Sequence, residues 1–204
     1  MIARSQLHWM TEVGMFFEKQ GPVWDTLREL DRRLREASIE YTVIGGLALS
    51  AHQYHRQTID VDIVLTAADF KRFCDSLVGT AYTRIGGARR RFVDPASEVT
   101  IDVLIAGELA GRRSRNPSVR FPDPSEREIH EEIPTVSLAR LIELKLVTWR
   151  YKDWGDVVEL IRRRNLDESF AEKLDPIART PYRECFDQAG DEEYEEPGNR
   201  GEHS

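Results

Sequence analysis

The sequence predicts a mixed α/β domain closed by a C-terminal helical cap. Three observations carry this reading. Short β-branched runs such as Tyr41–Ile44 and Ile59–Leu65 alternate with helical stretches. The second of these runs alternates acidic and branched residues before turning apolar, as a strand with one core face and one polar face does. Beyond Ser137 the apolar spacing becomes wholly helical.

At 204 residues, 40% hydrophobic and 32% charged, the chain fits one ordinary globular domain that needs no covalent staples. No apolar stretch approaches the ~20 residues a membrane-spanning helix requires. The first residues lack an apolar run followed by a cleavage site, so a cytoplasmic chain is expected. Cys74 and Cys185 have no metal-type Cys/His spacing around them and read as reduced thiols. The net charge of -7 is concentrated at the end: from Ala189 six acids oppose Arg200 alone, leaving the body close to neutral. Residues 189–204 are therefore expected to form an acidic disordered tail. The remainder divides into N-terminal helices (1–38), a core sheet domain (39–134) and the helical cap (135–188).

Helices are expected over Trp9–Lys19 and Val23–Glu36, separated by Gly21-Pro22, a break and helix-start signal. A strand at Tyr41–Ile44 stops at Gly45-Gly46, and a short helix follows over Leu47–His52. After the acidic strand comes a helix over Ala67–Val78, opened by Thr66 with Asp69 three residues on. Further strands are expected at Arg91–Val93 and Val99–Ile105. Residues 106–134 dissolve into glycine, proline and charge, too long for an ordinary connection, and read as either a functional loop or a partly ordered segment. Two helices, Ser137–Lys152 and Asp153–Arg164, and a short third from Asp167 complete the pattern.

Asp60 and Asp62, at i and i+2 of a strand, share a face and repel one another. A divalent cation relieves that repulsion, and an all-oxygen set favours Mg²⁺ or Mn²⁺. Asp102, ionisable within an otherwise apolar strand, needs a partner that the same cation would supply. Three carboxylates suffice for two metals ~3.5–4 Å apart, the arrangement of phosphoryl-transfer sites. Gly45 and Gly46, between strand and helix, let backbone N–H groups meet phosphate oxygens. A bare Gly-Gly turn and a solvated Asp-x-Asp are the bland alternatives, and the ordered combination favours the site. Arg56 and Thr58 precede the acidic strand closely enough to face phosphates, or are a surface charge and a strand residue. His52 and His55 read as surface or helix-packing histidines. Arg89–Arg91, and Arg112, Arg113, Arg115 and Arg120, form two basic clusters that either guide an anionic ligand or are solvated.

Val43-Ile44-Gly45-Gly46-Leu47-Ala48-Leu49 followed by Arg56-Gln57-Thr58-Ile59-Asp60-Val61-Asp62-Ile63-Val64 resembles the signature of the polymerase-β-type nucleotidyltransferase superfamily. The Arg-x-Thr-x-Asp-x-Asp form and the segment Arg150-Tyr151-Lys152-Asp153-Trp154-Gly155-Asp156 look most like the AbiEii-type branch, toxin partners in abortive-infection and toxin–antitoxin pairs. The resemblance implies a nucleotidyltransferase fold, a mixed β-sheet flanked by helices, and Mg²⁺-dependent transfer of a nucleoside monophosphate from NTP to a hydroxyl. It implies that Gly45 and Gly46 hold the triphosphate, that Asp60, Asp62 and Asp102 bind metal, and that Asp102 assists deprotonation of the acceptor. Lys145 resembles the helical lysine that reaches the phosphates, the alternative being a solvated one. Asp153 is either a helix cap or the contact that positions Lys145 or Lys152. The implied acceptor is an RNA end such as a tRNA 3′ hydroxyl, or a protein hydroxyl, with a cognate antitoxin as partner. A small-molecule acceptor of the antibiotic type, and a non-catalytic nucleotide- or partner-binding module, are the alternatives.

Overall fold

The computed structural model describes residues 19–111 and 119–191. The expected helix Trp9–Lys19, the arginines 112, 113 and 115, and the tail beyond Asp191 lie outside these residues, apart from Lys19 itself.

Pro22 opens helix α1 (Pro22–Glu36), which buries Trp24, Leu27, Leu30 and Leu34. Its outer face is laced by Glu29–Arg32, Glu29–Arg33 and Asp31–Arg35 ion pairs at helical spacing. Strand β1 (Thr42–Val43) leads into α2 (Gly45–Ala51), then β2 (Asp60–Leu65) and α3 (Ala67–Leu77). Thr66 caps α3 by accepting from the Asp69 amide at 3.0 Å, while its hydroxyl donates to Asp69 Oδ2 at 2.8 Å. Strands β3 (Thr83–Arg84), β4 (Arg91–Val93) and β5 (Thr100–Ile105) follow, then β6 (Glu128–His130) and β7 (Ile133–Thr135). Helices α4 (Leu138–Leu146), α5 (Tyr151–Arg164) and α6 (Pro176–Asp191) complete the described residues, with a 3₁₀ turn at Glu168–Lys173 between the last two.

The seven strands form one mixed sheet in the order β3-β4-β5-β2-β1-β7-β6. Its centre is the parallel pair β2–β5, aligned from Asp60↔Thr100 to Leu65↔Ile105 with Asp62 opposite Asp102. Period-2 alternation then sorts the side chains. Val61, Ile63, Leu65, Ile101, Val103 and Ile105 pack with α1 and with Phe73 of α3 on one face. Val64 and Leu104 point to the other face, where α2 and α4–α6 assemble a second core around Leu141, Val157, Leu160 and Tyr182. Asp60, Asp62 and Asp102 therefore stand on the face that the C-terminal helices cover.

Three expectations are corrected. Residues 106–134 are not simply a loop, since β6 and most of β7 lie within them as a hairpin on the sheet edge, β7 pairing in parallel with β1. Its two-residue turn is built from Glu131 (φ 48) and Glu132 (φ 71), a conformation usually assigned to Asn-Gly, so no turn signal was present in the sequence. The single helix Ser137–Lys152 is two elements, broken at Thr148–Arg150, where Trp149 takes φ 56. The short helix begins at Gly45 and not Leu47, so both glycines sit in its first turn. In addition α6 continues to Asp191, past the expected start of the tail at 189. The Arg162 guanidinium donates to the carbonyls of Ala189 (3.2 Å) and Gln188 (3.1 Å), satisfying groups at that helix end.

Candidate active site

The acidic strand and the glycine turn are packed directly on each other. Gly45 has φ 68, and a Cβ there would lie 2.1 Å from Asp62 Oδ2. A Cβ on Gly46 would lie 2.6 Å from Thr58 Oγ1. The two glycines are thus required by the close approach of α2 to residues 58–62, and Ile44 N–H reinforces that approach by donating to Asp62 O at 3.0 Å. Thr58, buried, donates its hydroxyl to Asp60 Oδ1 at 2.7 Å and so fixes that carboxylate.

The structure brings Asp60, Asp62 and Asp102 together, each offering an oxygen within 4.8 Å of the others. Burial, with the charges of Asp60 and Asp102 beside it, pushes the Asp62 carboxyl up to about 7. A partly buried, all-oxygen group whose members repel one another fits a divalent cation of the Mg²⁺ or Mn²⁺ class. Arg91 stands opposite Asp102 in the β4–β5 register and grips both its oxygens, Nε to Oδ1 at 2.7 Å and Nη2 to Oδ2 at 2.6 Å. That pairing raises the Arg91 pKa further, chiefly through the hydrogen bond. The guanidinium is half exposed, whereas Asp102 is mostly covered.

Lys145 is not a solvated lysine. It is 5% exposed, with Nζ 2.6 Å from Asp156 Oδ2 and 3.3 Å from Asp153 Oδ1. Asp156, 2% exposed, also accepts from Arg56 through Nε (2.7 Å) and Nη2 (3.0 Å). The two cations expected at the phosphates are thus tied to one buried carboxylate from α5, which joins the loop before β2 to α4. Thr148 Oγ1 lies 2.6 Å from Asp153 Oδ2 and 2.9 Å from Lys145 O, so the break between α4 and α5 belongs to the same network. Lys145 still favours ionised Asp62 through its charge, which places the network beside the acids.

Two participants escaped the sequence reading. Arg91 was visible only as part of a basic run, because its partner is set by strand pairing. Asp156 stands three residues after Asp153 on one helix, an i,i+3 acidic pair that was the available signal. The basic clusters are less free than their composition suggested. Arg90 pairs with Glu108, and Arg120 donates to Gly107 O at 2.7 Å.

This mixed sheet flanked by helices is the nucleotidyltransferase fold. Among solved structures, the antibiotic-resistance factor ANT(2'')-Ia in solution superposes with a TM-score of 0.50 at 14% identity, over 80% of this chain and 92% of that one. Its crystal form with adenylyl-2''-tobramycin gives 0.47 at 12% identity, over 79% and 99%. A protein of H. pylori assigned to the nucleotidyltransferases gives 0.43 at 15%, over 80% and 92%. No protein-family model matches the chain, and no curated protein matches it.

Proposed function

We propose that this chain is a divalent-cation-dependent nucleotidyltransferase that moves a nucleoside monophosphate from NTP to an acceptor hydroxyl, breaking the α–β phosphoanhydride bond and releasing pyrophosphate. The observation that carries the reading is the convergence of Asp60, Asp62 and Asp102 within 4.8 Å beside a turn that accepts only glycine. Asp60, Asp62 and Asp102 hold Mg²⁺ or Mn²⁺, which when bound neutralises phosphate charge and activates an attacking oxygen. Thr58 keeps Asp60 aimed at the site, and Asp102, once Arg91 releases one of its oxygens, assists deprotonation of the acceptor. Gly45 and Gly46 present backbone without side chains to the triphosphate. Arg56 and Lys145 supply positive charge at its rim, with Asp156 holding them in place until phosphate competes for them.

For the acceptor we favour an RNA end, such as a tRNA 3′ hydroxyl, or a protein hydroxyl, in the manner of an AbiEii-type toxin held in check by an antitoxin. The motif resemblance supports this. The fold likeness to an antibiotic-resistance factor supports a second reading, a small-molecule acceptor. Incubation with each α-labelled NTP, Mg²⁺ or Mn²⁺, and either total RNA with protein or an aminoglycoside panel separates them by where label appears. Asp60→Ala with Asp62→Ala abolishes all labelling. Label that persists in this double variant removes the proposed site, and nucleotide that binds without ever being transferred makes the chain a binding module.

A further inference from the structure

A second cluster of ligating side chains lies at the other end of α2 from the acids. His52 immediately follows the helix, while Glu128 and His130, at i and i+2 of edge strand β6, share one strand face. We infer that His52, Glu128 and His130 form a binding site for a borderline transition-metal cation of the zinc class, separate from the acidic site.

Each of the three offers a donor atom within 4.8 Å of the others. The rings of His52 and His130 meet edge to face with centroids 4.9 Å apart, and His130 Nε2 lies 3.1 Å from Glu128 Oε2. Two imidazoles and one carboxylate are a zinc-type ligand set that leaves a fourth position open, whereas the all-oxygen acidic group suits Mg²⁺ or Mn²⁺. His52 is 2% exposed, and its Nε2 stands 2.8 Å from the Val136 carbonyl. The carbonyl can only accept, so Nε2 keeps its proton and donates it there, which leaves Nδ1 with the lone pair. A backbone oxygen fixing the tautomer in this way is the usual outer support of a metal-bound histidine.

Donors around tetrahedral zinc sit roughly 3.4 Å apart, given bonds of about 2.0–2.1 Å. Closure therefore asks for a small inward swing of Glu128 and His130, both on the exposed edge, while buried His52 stays in place. The bound metal would staple the β6–β7 hairpin to the helix whose first turn packs on Asp62.

Zinc binding is measured by calorimetry and by elemental analysis after dialysis, in a background of Asp60→Asn with Asp62→Asn so that the acidic site does not contribute. One zinc per chain is expected. His130→Ala weakens it by more than about 100-fold, because loss of an outer supporting group alone costs 10–100-fold. Co²⁺ should give a visible absorption band that His130→Ala lacks, and zinc should raise the unfolding temperature of the background protein but not of that variant. Glu128→Gln, a change on the exposed edge, serves if His130→Ala misfolds. Absence of retained zinc, or equal affinity in the background protein and a folded variant, overturns the site.

Discussion

Gly45→Ala tests the packing on which the acidic site depends. Alanine at φ 68 costs roughly 1–2 kcal/mol in backbone strain. Its methyl would also stand 2.1 Å from Asp62 Oδ2, where ordinary contact is at about 3.5 Å. The carboxylate or the helix must therefore give way by more than ~1 Å, and a displacement of that size at a reacting centre costs on the order of 100-fold in rate. That corresponds to about 2.7 kcal/mol of transition-state stabilisation. Two measurements separate the contributions. Urea unfolding of Gly45→Ala, Asp62→Ala and the double variant gives the coupling between the two positions, and labelled-NMP transfer gives the rate. Strain and the 3.0 Å approach to the Cβ of residue 62 survive in the double variant, whereas the clash with the carboxylate does not, so the cycle should show that Gly45→Ala costs less stability once Asp62 is alanine. If Gly45→Ala is additive with Asp62→Ala and transfers NMP at the native rate, Gly45 does not support Asp62 and the reasoning fails.

The remaining predictions concern charge and backbone. Because the folded Asp62 carboxyl is raised to about 7, above its unfolded value, it contributes stability to the cation-free protein at low pH. That contribution is lost as pH rises through 7. Unfolding free energy of the native protein relative to Asp62→Asn should accordingly fall between about pH 4 and 7, and added Mn²⁺ should remove the fall; a flat difference refutes it. Arg91→Ala should change stability by no more than about 1 kcal/mol, since its guanidinium is half exposed, yet tighten Mn²⁺ binding in calorimetry by freeing Asp102. Asp156→Ala should cost up to about 3 kcal/mol in urea unfolding, because it leaves buried Lys145 only the 3.3 Å contact with Asp153 and loosens Arg56. Glu132→Gly should stabilise the β6–β7 hairpin by about 0.5–1 kcal/mol, relief of a left-handed residue exceeding the entropy that glycine adds to the unfolded chain.

The layout from α1 to α3, the two long strands and the three acids was legible because each is announced locally. Pro22 starts a helix, Thr66 caps one, and the alternation of Asp60–Val64 states which side chains share a face. What escaped depends on partners far away in sequence or on backbone that residue type does not announce. The turn Glu131-Glu132 holds two left-handed residues with no glycine or asparagine to mark them. The break after α4 falls in an uninterrupted amphipathic pattern and is made by Thr148, Asp153 and the conformation of Trp149. Arg91 reaches Asp102 only because β4 folds back antiparallel on β5. Lys145 and Arg56 were singled out as cations, but the carboxylate that binds both comes from α5.

The parallel alignment of β2 with β5 divides the chain into parts that tolerate a change of length and parts that do not. Everything between residues 66 and 99 leaves the sheet centre and returns to it, so an exposed insertion in that excursion lengthens a closed loop at a cost that grows only slowly. Deleting one residue within either strand turns every later side chain over, exchanging aspartate for isoleucine or valine at the same height. Variation in length among homologous chains should gather in the excursion, and two six-residue stretches should keep their spacing.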